Sequence, residues 1–422
     1  MNILIIGNGG REHALAWKAT QSPLAKKIYI APGNAGTALE PKLKNVNIST
    51  TDIPALLTFA KSYSIDLTIV GPEAPLVIGI VDAFQAANLV IFGPTKAAAQ
   101  LEGSKAFSKD FLTRHHIPTA AYRKFTDINA ALIYIHKKNT PIVIKANGLA
   151  AGKGVIIANT QKEAETAINN MLVSNTFGNA GHCIIIEEFL EGEEISFIVM
   201  VDGKNILPMA TSQDYKRIND GNLGLNTGGM GAYSPVPVVT DSIYQQIMEK
   251  IIRPTVQGMA DEGNAYSGFL YAGLMITSNG QLKVIEFNCR LGDPETQPII
   301  MRMRSDLVEL CLAGTQGKLN EKKTEWNEYY ALSVVLAAEG YPGNYRKGDI
   351  IQGLPQQEII NTGKVFHAGT YLNNNNQVVT HGGRVLCVTT LGVTIADAQK
   401  HAYALVKNIQ WQGVFYRNDI GC

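Results

Sequence analysis

Four short apolar runs, each followed within two residues by glycine or proline, dominate the first part of the chain. They occupy residues 3–6, 28–30, 67–70 and 89–92. Continuous apolar runs of this length are typical of buried parallel strands, and the intervening segments are long enough to form helices. We therefore predict a doubly wound parallel-sheet α/β domain over residues 1–102. Ligands of such a domain bind beyond the carboxyl ends of the strands, where these glycine and proline residues lie.

The whole chain is too long for a single core, since 422 residues correspond to about three domains of roughly 150 residues. We predict a central region over residues 103–328, in which residues 105–115 form a helix and residues 282–288 form a strand. Residues 212–234 are polar and rich in glycine without any periodicity, which predicts a long functional loop. Strand-like segments dominate residues 329–422, so we predict a β-rich C-terminal domain there.

The composition argues against two classes of partner. Lys and Arg number 37 against 36 Asp and Glu, a net charge of +1, whereas binding to nucleic acid or to an anionic membrane needs a clear basic excess. The 5 cysteines are widely spaced and form no C-x-x-C pair, which disfavours disulfides and zinc sites. We therefore expect a cytoplasmic monomer that binds neither nucleic acid nor membrane.

The first glycine-rich loop, GNGGREH from Gly7, has the position of a dinucleotide-binding loop but not its spacing. The motif G-x-G-x-x-G requires glycine where the chain has Glu12. A glycine turn ahead of a helix still offers backbone N–H groups to a phosphate, and Arg11 could add a bidentate charge. The alternative interpretation is a tight strand-to-helix turn with an exposed Arg11.

A second glycine-rich segment, residues 148–154, lies between apolar runs that predict a hairpin. It is not a Walker A loop, because Gly154 follows Lys153 where a metal-binding hydroxyl is required. A loop of small residues at a hairpin tip can fold over nucleotide phosphates, since glycine lets the backbone approach the oxygens. A plain flexible turn is an equally good interpretation.

Residues 286–290 combine metal-ligating and charged side chains. Residues i and i+2 of a strand share a face, so Glu286, Asn288 and Arg290 project together. A carboxylate beside an amide oxygen suits Mg²⁺, and Arg290 could neutralise charge on a transferring phosphoryl group. The alternative is an ordinary exposed strand with alternating polar residues, although the polar residues 292–297 that follow favour a cleft.

Long motifs along essentially the whole chain resemble those of the glycinamide ribonucleotide synthetases (phosphoribosylamine–glycine ligases), a family of ATP-grasp enzymes. These motifs are GNGGREHALAW from Gly7, APGNAGT from Ala31, GPEAPL from Gly71, GSKAFSKDF from Gly103, IKANGLAAGKGV from Ile144, EEFLEGEE from Glu187, SQDYKR from Ser212, NTGGMGAYSP from Asn226 and NCRLGDPETQ from Asn288. The resemblance implies that residues 103–328 form an ATP-grasp module with a small mobile lid subdomain at about residues 123–192.

The resemblance also implies a set of binding residues. ATP would be bound by Lys105, Lys145, Gly152, Lys153, Gly154, Glu187, Glu188, Phe189, Leu190 and Glu193. Mg²⁺ or Mn²⁺ would be held by Glu286 and Asn288. Phosphoribosylamine would be bound by Gly9, Gly10, Arg11, Asn34 and Glu73, and glycine by Asp214, Gly228, Gly229 and Arg290. Arg290 and Lys145 would be the catalytic residues.

The implied reaction is the ATP-dependent ligation of glycine to 5-phosphoribosylamine through glycyl phosphate, in de novo purine biosynthesis. It needs no covalent enzyme intermediate, which agrees with the lack of a G-x-S-x-G nucleophile motif. The alternative within the superfamily is another carboxylate–amine ligase or a carboxylase. An NAD-dependent oxidoreductase fails the spacing test of the first loop. An inactive nucleotide-binding module is disfavoured because the phosphate lysines and metal ligands are all present.

Four positions depart from the family pattern. Asn147 replaces an Asp after the lid strand, and Tyr215 replaces a His. Asn222 and Leu225 stand where Asp and Pro are usual. None of these changes removes a predicted phosphate or metal ligand, so we expect their effect to be confined to substrate contacts near Tyr215 and the polar loop.

Overall fold

The computed structural model describes residues 1–150, 154–174, 176–355 and 363–422. Two residues of the predicted nucleotide loop, Gly152 and Lys153, lie outside the described residues. Within the described ranges, a parallel sheet comes first, antiparallel sheets with helices follow, and the C-terminal part is rich in β-structure, which confirms the predicted fold class. No helix in these ranges is long and apolar enough to cross a membrane.

The N-terminal part is a parallel sheet with helices between its strands. Its elements are β1 (Asn2–Gly7), α1 (Gly10–Ala19), β2 (Lys27–Pro32), α2 (Ala35–Leu39), β3 (Leu43–Asn45), α3 (Ile53–Ser62), β4 (Leu67–Val70), α4 (Glu73–Ile78), α5 (Ile80–Ala86) and β5 (Ile91–Phe92). The strand order is β3-β2-β1-β4-β5, and every adjacent pair is parallel. Strand β3 was not predicted, because it is a short, polar edge strand. Strands β1 and β4 end at the loops that lead into α1 and α4, as predicted.

A small antiparallel sheet follows and confirms both the predicted helix and the predicted hairpin. The elements are α6 (Gln100–Gly103), α7 (Lys105–Arg114), β6 (Tyr122–Phe125), α8 (Ile128–Ile135), β7 (Ile142–Ala146), β8 (Val155–Ala158), α9 (Gln161–Leu172) and β9 (Ile184–Glu188). The strand order is β6-β9-β7-β8. Helices α8 and α9 pack on this sheet around a core of its own, which includes Ile144, Ile168 and Ile186. That separate core is what an independently moving lid needs, but the motion stays a prediction.

The central part continues with a second antiparallel sheet of order β11-β10-β16-β17. The elements from here to the next region are β10 (Gly192–Asp202), β11 (Ile206–Pro208), β12 (Gln213–Asp214), β13 (Arg217–Asn219), β14 (Leu223–Asn226), β15 (Gly231–Ser234), α10 (Asp241–Ile247), α11 (Arg253–Asp261), β16 (Ser267–Thr277), β17 (Leu282–Asn288), α12 (Thr296–Arg302) and α13 (Leu307–Thr315). A π-helical turn joins α10 to α11. Strand β17 spans the predicted strand.

The C-terminal sheet includes two strands from the central part of the chain. Its later elements are β18 (Tyr330–Ala337), β19 (Gly363–His367), β20 (Thr370–Leu372), β21 (Val378–Thr380), β22 (Arg384–Gly392) and α14 (Ile395–Val406). The strand order is β12-β15-β18-β22-β19. The prediction of a long loop over residues 212–234 is therefore wrong. β12 pairs with β15, β15 pairs with β18, and β13 pairs with β14 in a separate two-stranded sheet. Local periodicity does not reveal these strands, because they are short and the pairing of β15 with β18 joins segments that lie far apart in the chain. The predicted divisions of the chain after residues 102 and 328 stay predictions.

Candidate active site

A cleft of about 990 Å³ opens where these sheets meet. Its lining includes most of the predicted site residues, namely Arg11, Glu73, Lys105, Lys145, Gly154, Glu187, Glu188, Phe189, Leu190, Glu193, Asp214, Gly228, Glu286, Asn288 and Arg290. Gly9, Gly10, Asn34 and Gly229 are not among the described lining residues. Residues from every part of the chain thus meet in one place, although the role of each stays a prediction.

One wall of the cleft carries three buried charged side chains. Lys145 and Glu187 lie on the neighbouring strands β7 and β9, and Lys109 lies one turn after Lys105 on α7. Lys145 Nζ and Lys109 Nζ lie 3.0 and 2.9 Å from the same oxygen, Glu187 Oε2. The other oxygen, Glu187 Oε1, is buried and has no hydrogen-bond partner in the described part of the chain. Burial lowers the pKa of Lys109 to about 8, although Glu187 opposes the shift. The wall therefore offers ammonium groups for phosphate beside an acceptor for a ligand N–H group.

The start of α7 is tied to the beginning of the second glycine-rich segment. Lys105 Nζ donates to the carbonyl oxygen of Gly148 at 3.4 Å. Asn147 Oδ1 accepts hydrogen bonds from the Ser104 hydroxyl at 3.1 Å and from the backbone N–H of Ala106 at 2.8 Å. The departure at Asn147 therefore keeps the acceptor oxygen that an Asp would supply there.

A β-bulge turns the predicted metal ligands towards the cleft. The register between β16 and β17 shifts between Gly273 and Leu274, so β17 contains an extra residue at this point. Val284 is buried in the core, whereas Glu286 lines the cleft although it lies only two residues later. Regular alternation resumes after the bulge, so Asn288 lies on the same face as Glu286. The predicted common face is thus observed, but regular alternation alone would have placed Val284 on it as well.

Glu286 is an ionised carboxylate that is free to take a ligand. Its closest cation among the described residues is Lys216, whose Nζ lies 4.0 Å from Glu286 Oε1. Burial opposes its ionisation, but four cationic side chains of the cleft, led by Lys216, outweigh burial and lower the pKa of Glu286. Lys216 itself is paired with Glu194. Burial raises the pKa of the nearby Asp214, although Lys216 opposes that shift.

Arg290 is held between two carboxylates. Its Nε donates to Glu73 Oε2 at 3.1 Å, and one terminal nitrogen lies 2.7 Å from Glu102 Oε1. The other terminal nitrogen donates to the carbonyl oxygen of Leu291 at 3.3 Å. Burial alone would raise the pKa of Glu73, but Arg290 and Arg11 outweigh it and lower that pKa to about 2. The guanidinium and the Glu73 carboxylate are therefore both charged and fixed in the cleft wall.

Arg11 is buried, so its interpretation as an exposed turn residue is wrong. It is 7% exposed, and its guanidinium contacts Glu12 Oε1 at 2.5 Å and the carbonyl oxygen of Leu291 at 3.1 Å. Glu12 Oε2 accepts the backbone N–H of Gly9 at 2.6 Å and so caps α1. Glu12 therefore has a structural task at the position where a dinucleotide loop has glycine.

Asn34 has a structural role that differs from the predicted substrate contact. Its side-chain amide donates to the carbonyl oxygens of Asn8 at 3.0 Å and His367 at 2.8 Å. Its side-chain oxygen accepts the backbone N–H of Thr37 at 3.0 Å and caps α2. The side chain is buried and fully engaged in joining the N-terminal sheet to β19.

The Gly228–Gly229 turn is packed against the C-terminal sheet. A Cβ on Gly228 would lie 2.9 Å from the Arg384 guanidinium carbon, and one on Gly229 would lie 2.4 Å from Pro294 Cδ. Gly229 also has a φ of +111°, which favours glycine. Arg384 donates to the carbonyl oxygens of both glycines and of Asp293. Packing and backbone conformation therefore require glycine at position 229, whereas a side chain at position 228 would have to displace the Arg384 guanidinium. Of the two glycines, Gly228 lines the cleft.

Two of the departures in the polar loop, Tyr215 and Asn222, contact the C-terminal segment, and Asn222 also lines the cleft. Tyr215 Oη accepts the backbone N–H of Gly421 at 2.9 Å, and the Arg417 guanidinium lies 5.1 Å from the Tyr215 ring centre. Arg417 also donates to Asn222 Oδ1 at 3.0 Å. Leu225 is 67% exposed. Tyr215 and Asn222 therefore form one brace between the loop and the end of the chain.

Several charged residues of the cleft were not predicted. They are Glu102, Lys109, Glu191, Glu194, Lys216, Arg217, Asp293, Glu295 and Arg384. Lys109 follows Lys105 by four residues on a helix, and that spacing could have identified it. Glu194 and Lys216 lie within two residues of predicted site residues. Glu102 and Arg384, by contrast, are brought to the site by contacts between distant parts of the chain.

Models of three protein-family domains match the chain in order. The phosphoribosylglycinamide synthetase N domain matches residues 1–102, its ATP-grasp (A) domain matches residues 103–296, and its C domain matches residues 331–422. Together these matches cover most of the chain.

Individual proteins show the same similarity. A phosphoribosylamine–glycine ligase of Yersinia pestis is 72% identical over 421 residues, which cover 100% of this chain and 98% of that relative. The crystal structure of the phosphoribosylamine–glycine ligase of Thermotoga maritima is 34% identical, with a TM-score of 0.85 and complete (100%) coverage of both chains. Biotin carboxylase of Campylobacter jejuni, in a complex with β,γ-ATP, has a TM-score of 0.75 over 98% of this chain and 92% of its own, at 15% identity, and so shares the fold alone.

Proposed function

Because the chain belongs to the phosphoribosylglycinamide synthetase family, a family of ATP-grasp ligases, we propose that it joins glycine to 5-phosphoribosylamine. The reaction consumes ATP and yields glycinamide ribonucleotide, ADP and phosphate, a step of de novo purine biosynthesis. The observation that carries the proposal is the single cleft in which the lysines, the ionised Glu286 and the clamped Arg290 meet.

The chemical difficulty of the reaction explains why the cleft has these residues. A carboxylate is a poor electrophile, so an oxygen of the glycine carboxylate first attacks the γ-phosphorus of ATP, giving glycyl phosphate and ADP. The amine of phosphoribosylamine then attacks the acyl carbon, the acyl C–O bond breaks, and phosphate leaves with that oxygen. The protein aligns the reactants, neutralises charge and keeps water away from the acyl phosphate.

The nucleotide is assigned to the wall that carries Lys145, Lys105 and Glu187. The two ammonium groups neutralise phosphate oxygens, and the adenine ring lies against the backbone of residues 187–190, with Glu193 near the ribose. The unpaired Glu187 Oε1 is placed to accept an N–H of the ring's amino group. Gly154, at the described end of the second glycine-rich segment, lines the same cleft.

The chemistry of Glu286 and Asn288 fits a divalent metal. Both line the cleft on one face of β17, and the nearest cation to the ionised carboxylate among the described residues is Lys216, whose Nζ lies 4.0 Å from Glu286 Oε1. Mg²⁺ or Mn²⁺ favours such a small set of oxygen ligands together with phosphate oxygens, and it would supply positive charge opposite the transferring phosphoryl group.

The two smaller substrates are assigned to the other walls. Arg290 binds the glycine carboxylate, Asp214 lies near its amino group, and Gly228 bounds the pocket. Arg11 and Glu73 contact phosphoribosylamine, with the backbone of the first glycine-rich loop beside them. We assign the reaction to a cytoplasmic monomer that acts on small molecules only. The net charge of +1 gives no basic excess for binding nucleic acid or an anionic membrane.

An isotope experiment tests the reaction directly. The protein is incubated with ATP, phosphoribosylamine and glycine that carries ¹⁸O in its carboxylate. We expect each turnover to move one ¹⁸O atom into inorganic phosphate, and ADP release to require both other substrates. Unlabelled phosphate would contradict the proposal. ADP release with bicarbonate or formate in place of glycine would instead select the carboxylase or another ligase.

Substitution of Glu286 by Gln tests the metal assignment. We expect Glu286→Gln to lower the rate by about 10³-fold, because the metal loses its charged ligand. Binding of Mn²⁺ in the presence of ADP, measured by electron paramagnetic resonance, should weaken in parallel. Glu309→Gln, which alters a surface ion pair with Lys322, is the matched control and should match the native protein. Near-native turnover of Glu286→Gln would refute the assignment.

A further inference from the structure

Glu102 is a buried carboxylate that contacts both Arg290 and the backbone of Cys289, the residue that follows β17. It lies on α6 and is 8% exposed. Its Oε1 lies 2.7 Å from a terminal nitrogen of Arg290. Its Oε2 accepts the backbone N–H of Cys289 at 2.7 Å and the Cys289 thiol at 3.0 Å. One side chain thus receives three donors, two of them from the residue that precedes Arg290.

A count of the donors of Arg290 shows what these contacts achieve. A guanidinium has five N–H groups in one plane. Nε donates to Glu73, one terminal nitrogen donates to the carbonyl oxygen of Leu291, and the other terminal nitrogen forms an ion pair with Glu102. Each nitrogen therefore has one partner, and each terminal nitrogen carries a second N–H group that can donate to a ligand carboxylate. The three partners together hold the guanidinium in one orientation.

We propose that Glu102 is a positioning residue that orients Arg290 towards the carboxylate of the amino-acid substrate. The inference rests on the proposed function, in which that substrate is glycine. Loss of Glu102 leaves Glu73 and the carbonyl oxygen of Leu291 as partners and releases the terminal nitrogen that was paired with Glu102. The N–H groups that face the substrate then lose their fixed direction, and binding of the carboxylate weakens.

A carboxylate is the side chain that this position requires. The amide of Gln has one acceptor oxygen and one NH₂ group. If its oxygen meets Arg290, its NH₂ opposes the backbone N–H of Cys289, and if it is turned over, the NH₂ opposes Arg290. Asp keeps the charge but is shorter by one methylene and cannot reach both partners. Glu102→Gln and Glu102→Asp therefore disturb Arg290 in different ways without removing the site.

The test compares the KM for glycine with the KM for ATP in Glu102→Gln. We expect the glycine KM to rise about 10-fold or more, because a charge-assisted contact that orients the ligand is lost, while the ATP KM stays within about two-fold. Glu309→Gln, which alters a surface ion pair with Lys322, is the control, with both constants expected near native. Thermal unfolding of each variant is measured alongside.

The outcomes separate this inference from the proposed function. A native protein without glycine-dependent ADP release would contradict the function itself. An active Glu102→Gln variant with an unchanged glycine KM, or with glycine and ATP constants that rise together, would overturn the positioning role. If Glu102→Gln does not fold, Glu102→Asp is measured against the same thresholds, because it keeps the buried charge.

Discussion

The carboxylate of Glu40 joins the first and last parts of the chain and makes their association sensitive to acid. Glu40 Oε1 lies 2.6 Å from Lys364 Nζ on β19 and 3.2 Å from His13 Nε2 on α1. The backbone N–H of His367 donates to His13 Nδ1 at 2.9 Å, which leaves Nε2 as the donor to Glu40. Burial alone would raise the pKa of Glu40, but the hydrogen bonds from His13 and Lys364 outweigh it and lower that pKa to about 2.

The size of the effect follows from this pKa. A fall from the ordinary value of 4.5 to about 2 corresponds to a contribution of up to about 3 kcal/mol, at about 1.4 kcal/mol per pH unit. A carboxylate with a depressed pKa contributes its full stabilisation above the unfolded-state value. The contribution is therefore complete at neutral pH and is lost as the pH falls from about 4.5 towards 2.

The assay is urea unfolding of the native protein and of Glu40→Gln, each at several pH values between 7 and 3. The fluorescence of Trp17 reports on this contact, because its ring lies beside Lys364 and Phe366. We expect Glu40→Gln to be less stable by up to about 3 kcal/mol at pH 7, and the difference to shrink as the pH falls below 4.5. Glu165→Gln, in an exposed pair with His136, is the control and should change stability by less than about 1 kcal/mol. A difference that is absent at pH 7, or that stays constant down to pH 3, would refute the reasoning.

Substitutions at two further positions test contacts described above. Asn147→Ala removes the acceptor for the backbone N–H of Ala106 and should cost about 1–2 kcal/mol in chemical unfolding. Asn147→Asp keeps the acceptor and should cost less than about 0.5 kcal/mol. Equal losses for the two variants would exclude a stabilising role for this hydrogen bond. Arg417→Met leaves Asp419 and the acceptor on Asn222 without their partner, and we expect about 2–4 kcal/mol of destabilisation with a lower melting temperature. An unchanged melting temperature would mean that the brace does not stabilise the loop.

The fold could be predicted where the burial of an element shows in its own pattern of apolar and polar residues. Strand β1 is apolar on both faces, and β17 combines buried apolar residues with polar residues that face the cleft. Both strands could therefore be recognised in the sequence. The strands of residues 212–234 were missed because they are short and because β15 is stabilised by pairing with the distant β18. β3 was missed because it has no apolar run. It is a short edge strand that is paired on one side only.

The site could be predicted where its residues stand together in a motif. Glu286 and Asn288 are two residues apart, and their shared face follows from strand geometry. Glu102, by contrast, is far from Arg290 in the chain, and only the folded structure shows the pair. Asn34 is the converse case: it stands in a family-like motif, yet its polar atoms are all used within the protein.

The interleaving of β12 and β15 with β18 determines how this protein can be divided. A C-terminal fragment that starts near residue 330 would leave one edge of β18 unpaired. A fragment that stops there would contain β12 and β15 without their neighbour β18. Exchange of the C-terminal part between relatives should therefore transfer residues 212–234 with it. For fragment complementation, the chain is better divided before the small antiparallel sheet of strands β6 to β9, because that sheet has its own core.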